Sequence, residues 1–148
     1  MQSRMTPKLV DALYVEAMVL ADEARAYFDD HGRSDREALD PIIRVNFSCE
    51  SLKVTTRLMH VVAWLLTRRA VEAGEIDVRE ARSASRRLGN APPSEPLAVA
   101  QLPATARALV DASADLYSRV ARLDHDIDSE DPVRSPARTL LARLERSL

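Results

Sequence analysis

Apolar positions in this chain recur at alternating steps of three and four over three long stretches, the rhythm of a helix face packed on another helix. In the first, Leu13, Ala17, Leu20, Ala24 and Tyr27 fall on one line and Val10, Tyr14, Met18 and Ala21 on an adjacent one, so two neighbours are expected. In the second, Val45, Cys49, Leu52, Thr56, Met59, Ala63, Leu66, Ala70 and Ala73 form a seam. Val54, Leu58, Val61, Val62 and Leu65 widen it beyond a single face. In the third, Leu102, Ala106, Leu109, Ser113, Leu116, Val120, Leu123 and Ile127 keep the same spacing. A helix as apolar around its girth as the second belongs at the centre of a bundle or at a subunit interface, which predicts a homodimer.

Prolines and glycines punctuate these stretches. Thr6 and Pro7 supply an N-cap and a first-turn proline for a helix running to about Asp30, ahead of His31 and Gly32. Asp40 and Pro41 open the second helix in the same way, and Gly74 stands where a left-handed residue would end it. Its length of about 32 residues makes a rod of roughly 48 Å. Asp77 and Glu80 fit a capping box for a short extra helix ending near Leu88, with Gly89 as its stop. Pro92, Pro93, Pro96 and Pro103 mark an extended connector from Asn90, and Pro103 opens the third long helix. Beyond Ile127, the acidic Asp128, Glu130 and Asp131 followed by Pro132 and Pro136 read as a hinge. Ala137 to Leu148 then places Leu140, Leu141, Leu144 and Leu148 on one face, a tail too short to be a stable isolated helix, and so docked or disordered until bound. The reading is all-α: a three-helix bundle over residues 1–127 with a long central helix and one short extra helix, then a hinge and amphipathic tail over 128–148.

A chain of 148 residues is one domain's length and buries enough surface to need no staples. Cys49 is the one cysteine, so no internal disulfide is possible. Its place on a helix stripe reads as a small buried hydrophobe in a reduced, cytoplasmic setting. The apolar run Leu58 to Thr67, closed by Arg57 and Arg68, is far shorter than the ~20 residues of a membrane span, and Asp11 and Glu16 interrupt any secretory leader. A net charge of -2 gives no global pull toward nucleic acid. His31, His60 and His125 lie on three segments, and Asp124, His125, Asp126 and Asp128 read as a solvated acidic helix end, because adjacent helical residues point apart. Serine and histidine show no nucleophile spacing, and the three glycines are placed as helix stops, leaving no phosphate-cradling loop. Neither catalysis nor a metal or cofactor is expected.

Binding surfaces are the remaining candidates. Glu50, Lys53 and Arg57, at steps of three and four, can line a polar strip that a partner reads. The alternative is local: Thr55 and Thr56 bond back to preceding carbonyls and Arg57 pairs with a carboxylate such as Asp22 or Asp29. Trp64 is core, or a contact hot spot if exposed. Arg68, Arg69, Arg79, Arg82, Arg86 and Arg87 open a DNA-binding alternative through the Arg68–Arg87 region, but Glu72, Glu75, Asp77 and Glu80 interrupt that basic surface. Leu140, Leu141 and Leu144 are the apolar candidates of the tail.

One stretch carries a further signal. Glu50, Ser51, Thr55, Thr56, Arg57, Leu58, Met59, Trp64, Leu65, Leu66, Arg69, Ala70, Val71, Gly74 and Glu75 resemble the central helix of the RcdA-like family. That alphaproteobacterial group, once labelled only as a domain of unknown function, takes its name from a regulator of CtrA degradation. Outside this helix the likeness is one of layout. The resemblance implies a three-helix bundle that pairs into homodimers and acts as a non-enzymatic adaptor for the ClpXP protease, joining a priming factor in delivering cell-cycle regulators for destruction. The tail after Ile127 departs from it, being short and without a recognisable docking motif, so CtrA itself is not implied as cargo.

Overall fold

The computed structural model of the chain describes residues 5–130 and 143–145, and every regular element among them is helical. Helix α1, Pro7–Ala26, starts as its sequence dictates: Leu9 N donates to Thr6 Oγ1 at 3.1 Å, and Pro7 occupies the first turn. Val10, Leu13, Ala17, Leu20 and Ala24 are buried, while Tyr14 and Ala21 are half-covered and Met18 is exposed. The helix widens into a π turn at Tyr27–His31, ending one residue from the predicted stop. Gly32 is not left-handed there, at φ -86°. A Cβ on it would stand 2.6 Å from the Tyr27 carbonyl oxygen and 2.9 Å from the Tyr27 ring, so the requirement is close approach. A short helix α2, Arg33–Glu37, follows.

Helix α3, Pro41–Glu72, has the predicted length of 32 residues. Asp40 stands at its N-cap without a capping hydrogen bond from its side chain; Arg44 Nη2 instead bonds the carbonyls of Glu37 at 3.2 Å and Leu39 at 3.0 Å. At the other end Gly74 has φ 75°, and Glu75 N donates to Ala70 O at 2.9 Å, the left-handed stop that the sequence indicates. The buried row of α3 comprises Phe47, Glu50, Val54, Arg57, Leu58, Val61, Trp64, Leu65 and Arg68. This corrects the expected seam: Val45, Leu52, Met59 and Leu66 are exposed, and Cys49 is exposed rather than a buried hydrophobe. Both rows are apolar, and the one carrying Phe47, Leu58, Trp64 and Leu65 fills the space between three helices better than the one carrying Cys49, Thr56 and Ala63.

Two one-turn elements, α4 at Val78–Ala81 and α5 at Pro96–Ala100, precede α6, Ala104–Glu130. The predicted row of α6 holds: Leu102, Ala106, Leu109, Ser113, Leu116, Val120 and Ile127 are buried and Leu123 half-buried. The helix continues past the expected hinge at Ile127 to Glu130. Arg57 bonds Ser113 and Trp64 bonds Asp124, so α3 and α6 run parallel. The Arg69–Asp11 contact together with Phe28 packing on Phe47 makes α1 antiparallel to α3. Arg119 ties α6 to α1 through both carboxylate oxygens of Glu16.

Because α3 and α6 are parallel, residues 73–103 must travel back along the bundle. That requirement reshapes the expected short helix, which is one turn at α4 plus a 3-10 turn at Ala84–Arg86, and α5 interrupts the expected extended connector. Gly89 is not a helix stop: a Cβ there would lie 2.5 Å from His60 Nδ1, so the glycine lets the connector cross the ring. Among the described residues, no helix is long and apolar enough to cross a membrane. Of the tail, residues 143–145 form an exposed helical turn; Leu140 and Leu141 lie outside the described residues.

Candidate functional site

An extended segment laid across helices has no sheet partner, so side chains must satisfy its backbone groups. Residues 87–95 are pinned to α3 and α6 in three places. At the first, the Asp124 carboxylate accepts from Trp64 Nε1 at 2.9 Å, Arg87 Nε at 2.7 Å, Arg87 Nη2 at 3.1 Å and Leu88 N at 3.4 Å. Asp124 is therefore a structural acceptor and not part of a solvated acidic end. At the second, the Tyr117 hydroxyl donates to Gly89 O at 2.6 Å and accepts from Ala91 N at 3.2 Å.

At the third, Arg57 donates to Ser113 Oγ at 3.1 Å, Ser94 Oγ at 2.5 Å and Pro92 O at 3.3 Å. Glu50 accepts from Ser94 Oγ and, at 3.1 Å, from Lys53 Nζ. The predicted strip of Glu50, Lys53 and Arg57 is brought together, but it is read by the chain's own connector: Glu50 and Arg57 are only 2% and 3% exposed. Asp22 and Asp29 are not the partners of Arg57. Burial holds its pKa below the usual guanidinium value, opposed first by the Glu50 charge. The threonine pair behaves as expected, Thr55 donating to Ser51 O at 3.1 Å and Thr56 to Leu52 O at 2.9 Å. Sequence reasoning missed Ser94, Ser113, Tyr117 and Asp124. A signal was present: Glu50, Arg57 and Trp64 recur every seven residues beside Val54 and Val61, which puts polar groups on a core row.

The arginine-rich corner is divided: Arg68 is buried, Arg69, Arg82 and Arg87 are half-buried, and Arg79 and Arg86 are exposed. Arg68 is buried, its guanidinium 5.5 Å from the Trp64 ring centre and its Nη2 donating to Ala81 O at 3.4 Å. Burial lowers its pKa, Asp124 opposes this, and Arg87 and Arg82 add to the lowering. Arg69 stacks 4.1 Å from the Tyr14 ring centre and pairs with Asp11 at 3.0 Å; Arg86 faces Glu80 at 3.8 Å. A continuous basic face across Arg68–Arg87 does not form. Among the described residues, no three of His, Cys, Asp and Glu gather as metal ligands.

What α3 offers outward is different. Leu52 and Met59 are 68% and 66% exposed, and Ile42, Val45 and Leu66 are exposed beside them. A groove of about 600 Å³ runs between α1 and α3, lined by Ala21, Phe28, Thr55, Met59, Val62 and Leu66 among others. Exposed apolar side chains grouped on one helix face make this a candidate contact surface. Leu144 of the tail turn is exposed as well.

Residues 1–148 match the family model described as "Protein of unknown function (DUF1465)". The crystal structure of RcdA from Caulobacter crescentus CB15 is similar to this chain, with a TM-score of 0.69 and 34% sequence identity, over 85% of this chain and 97% of that one. No curated protein matches.

Proposed function

This chain belongs to the DUF1465 family of RcdA-like proteins, and from that premise we propose that it is a non-enzymatic adaptor. In this reading it works in the cytoplasm as a homodimer, helping a priming factor deliver regulator proteins to ClpXP. The observation that carries the reading is the division of labour on α3. Its core side holds the polar groups that fix the connector, while its outer side presents an apolar surface suited to protein contact. A bundle built this way is a stiff platform. The tail, with Leu140, Leu141 and Leu144, supplies a second contact point, and holding a cargo beside the protease at two points raises its effective concentration without tight individual contacts. Glu50, Arg57 and Arg68 act as its architecture, whereas Lys53 and Arg69 remain within a partner's reach.

The test is a reconstituted ClpXP proteolysis assay with candidate regulators and priming factors, with and without this chain. Accelerated loss of a regulator is expected, with less acceleration from a chain lacking residues 137–148. Unchanged rates across the regulators and priming factors would overturn the adaptor reading.

A further inference from the structure

Helix α1 carries a second apolar stripe that the bundle leaves unused. Ala12, Val15, Val19 and Ala26 recur at helical spacing opposite its buried row, and all are exposed, Val15 and Val19 at 59% and 52%. Carboxylates border this stripe on both sides, Asp11 and Asp22 along one edge and Glu16 and Glu23 along the other. Asp11 is engaged by Arg69 and Glu16 by Arg119, whereas Asp22 and Glu23 have no ion pair among the described residues. Lys8 lies at the start of the stripe, and Arg25 lines the groove toward α3.

An apolar centre with acidic borders fits an amphipathic helix with basic borders. The chain contains such a segment. Within residues 137–148, Leu140, Leu141, Leu144 and Leu148 share a face by their spacing, Arg138 and Arg143 fall on either side of it, and Glu145 is the one acidic residue. Residues 143–145 form a helical turn with Leu144 exposed, so the leucine face and the α1 stripe are both open to a partner.

The helix directions bring the two within reach. α1 and α6 are antiparallel and meet where Arg119 bonds Glu16, so equal steps along both put the end of α6 at Glu130 level with Met5. Residues 131–136 can span ~20 Å, about two helix widths, which is enough to pass from α6 to the outer side of α1. A helix over residues 137–148 is ~18 Å long, close to the distance along α1 from Lys8 to Val19. The outward row of α3 offers no such frame: of the carboxylates of α3, Glu50 is buried and Glu72 is its last residue.

We infer that residues 137–148 dock as a helix on the outward stripe of α1 in the same chain, running in the direction of α1 with Leu144 beside Val15. The arginines then face the carboxylate borders, and a partner that takes the leucine face must compete with α1. The short tether holds the segment at an effective concentration of about millimolar, so a weak contact suffices. The inference stands apart from the adaptor reading; within it, the second contact point is self-masked until a partner displaces it.

Full-length protein tests it in a Cys49→Ser background, with Leu144→Cys combined with either Val15→Cys or Arg122→Cys. Arg122 is exposed on α6 and also within reach of the segment, so it measures chance encounter. Copper-phenanthroline oxidation is expected to close the disulfide between residues 15 and 144 within one chain roughly tenfold faster than that between 122 and 144. In the natural chain, backbone amides of residues 137–148 are expected to exchange roughly tenfold more slowly than in an unstructured peptide. Val15→Lys with Val19→Lys should abolish that slowing while the helical circular dichroism of the bundle is unchanged, since both side chains are exposed. Equal cross-linking rates, or tail amides exchanging at the peptide rate, would overturn the inference. Slow exchange that survives the double lysine variant would place the segment on another surface and overturn it too. Disulfides formed only between chains would seat the segment on a second copy, and slow exchange that appears only on adding another protein would give it to that protein; either result overturns docking within the chain.

Discussion

Asp124 illustrates how much a single side chain can organise. Its carboxylate collects the indole N–H of Trp64, the guanidinium of Arg87 and the backbone N–H of Leu88, joining α3, α6 and the connector. Removing a partly buried acceptor strands its donors, so Asp124→Ala is expected to cost about 2–4 kcal/mol of stability. Asp124→Asn should cost less, because an amide oxygen still accepts from Trp64 although the charge facing Arg87 is gone. Urea unfolding followed by fluorescence of the single tryptophan measures both, and a loss below ~0.5 kcal/mol for the alanine variant would contradict this role. Such roles are hard to read in sequence. Spacing shows that Glu50 and Arg57 share a row with Val54 and Val61, but not that prolines elsewhere lay an extended segment over that row. Asp124 carries no local signal distinguishing it from its acidic neighbours.

At the scale of elements, the three long helices were legible because caps, prolines and one left-handed glycine coincide with the limits of the three-four rhythm. The inner face of α3 was not, since two opposite rows are apolar and only the bulk of the neighbouring faces decides between them. Nor was the connector, whose path depends on α3 and α6 being parallel, a property that no local pattern encodes. The end of α1 gives a pH-dependent test. The Tyr27 hydroxyl donates to Asp35 Oδ2 at 2.8 Å, and burial, that hydrogen bond and the Asp35 charge, in that order, raise its pKa well above the ordinary value of 10.0. A raised pKa means that the fold favours the neutral phenol. This stabilisation is fully present below pH 10 and is lost as pH rises from there toward the folded-state pKa. Between pH 9 and about pH 11 the thermal midpoint is therefore expected to fall more steeply for the natural chain than for Tyr27→Phe. Equal slopes would show that Tyr27 does not sense the fold in this way.

At the scale of the whole molecule, one long helix serves two opposite apolar surfaces. Its inner row closes the bundle with α1 and α6, and its outer row is left uncovered by the single chain. The apolar girth of this helix exceeds what α1 and α6 cover, and the row of Val45, Leu52, Met59 and Leu66 lies on the uncovered side. The buried Arg68 and the uncharged outer row favour protein contact over nucleic-acid binding. Cys49 lies on that outer row and reports directly on whether it is covered. The decisive measurement is the labelling rate of its thiol by a bulky disulfide reagent as a function of protein concentration. Slow labelling at tens of micromolar, becoming rapid on dilution or in Leu52→Glu, is expected if a partner copy sheathes the row; rapid labelling at every concentration would contradict it.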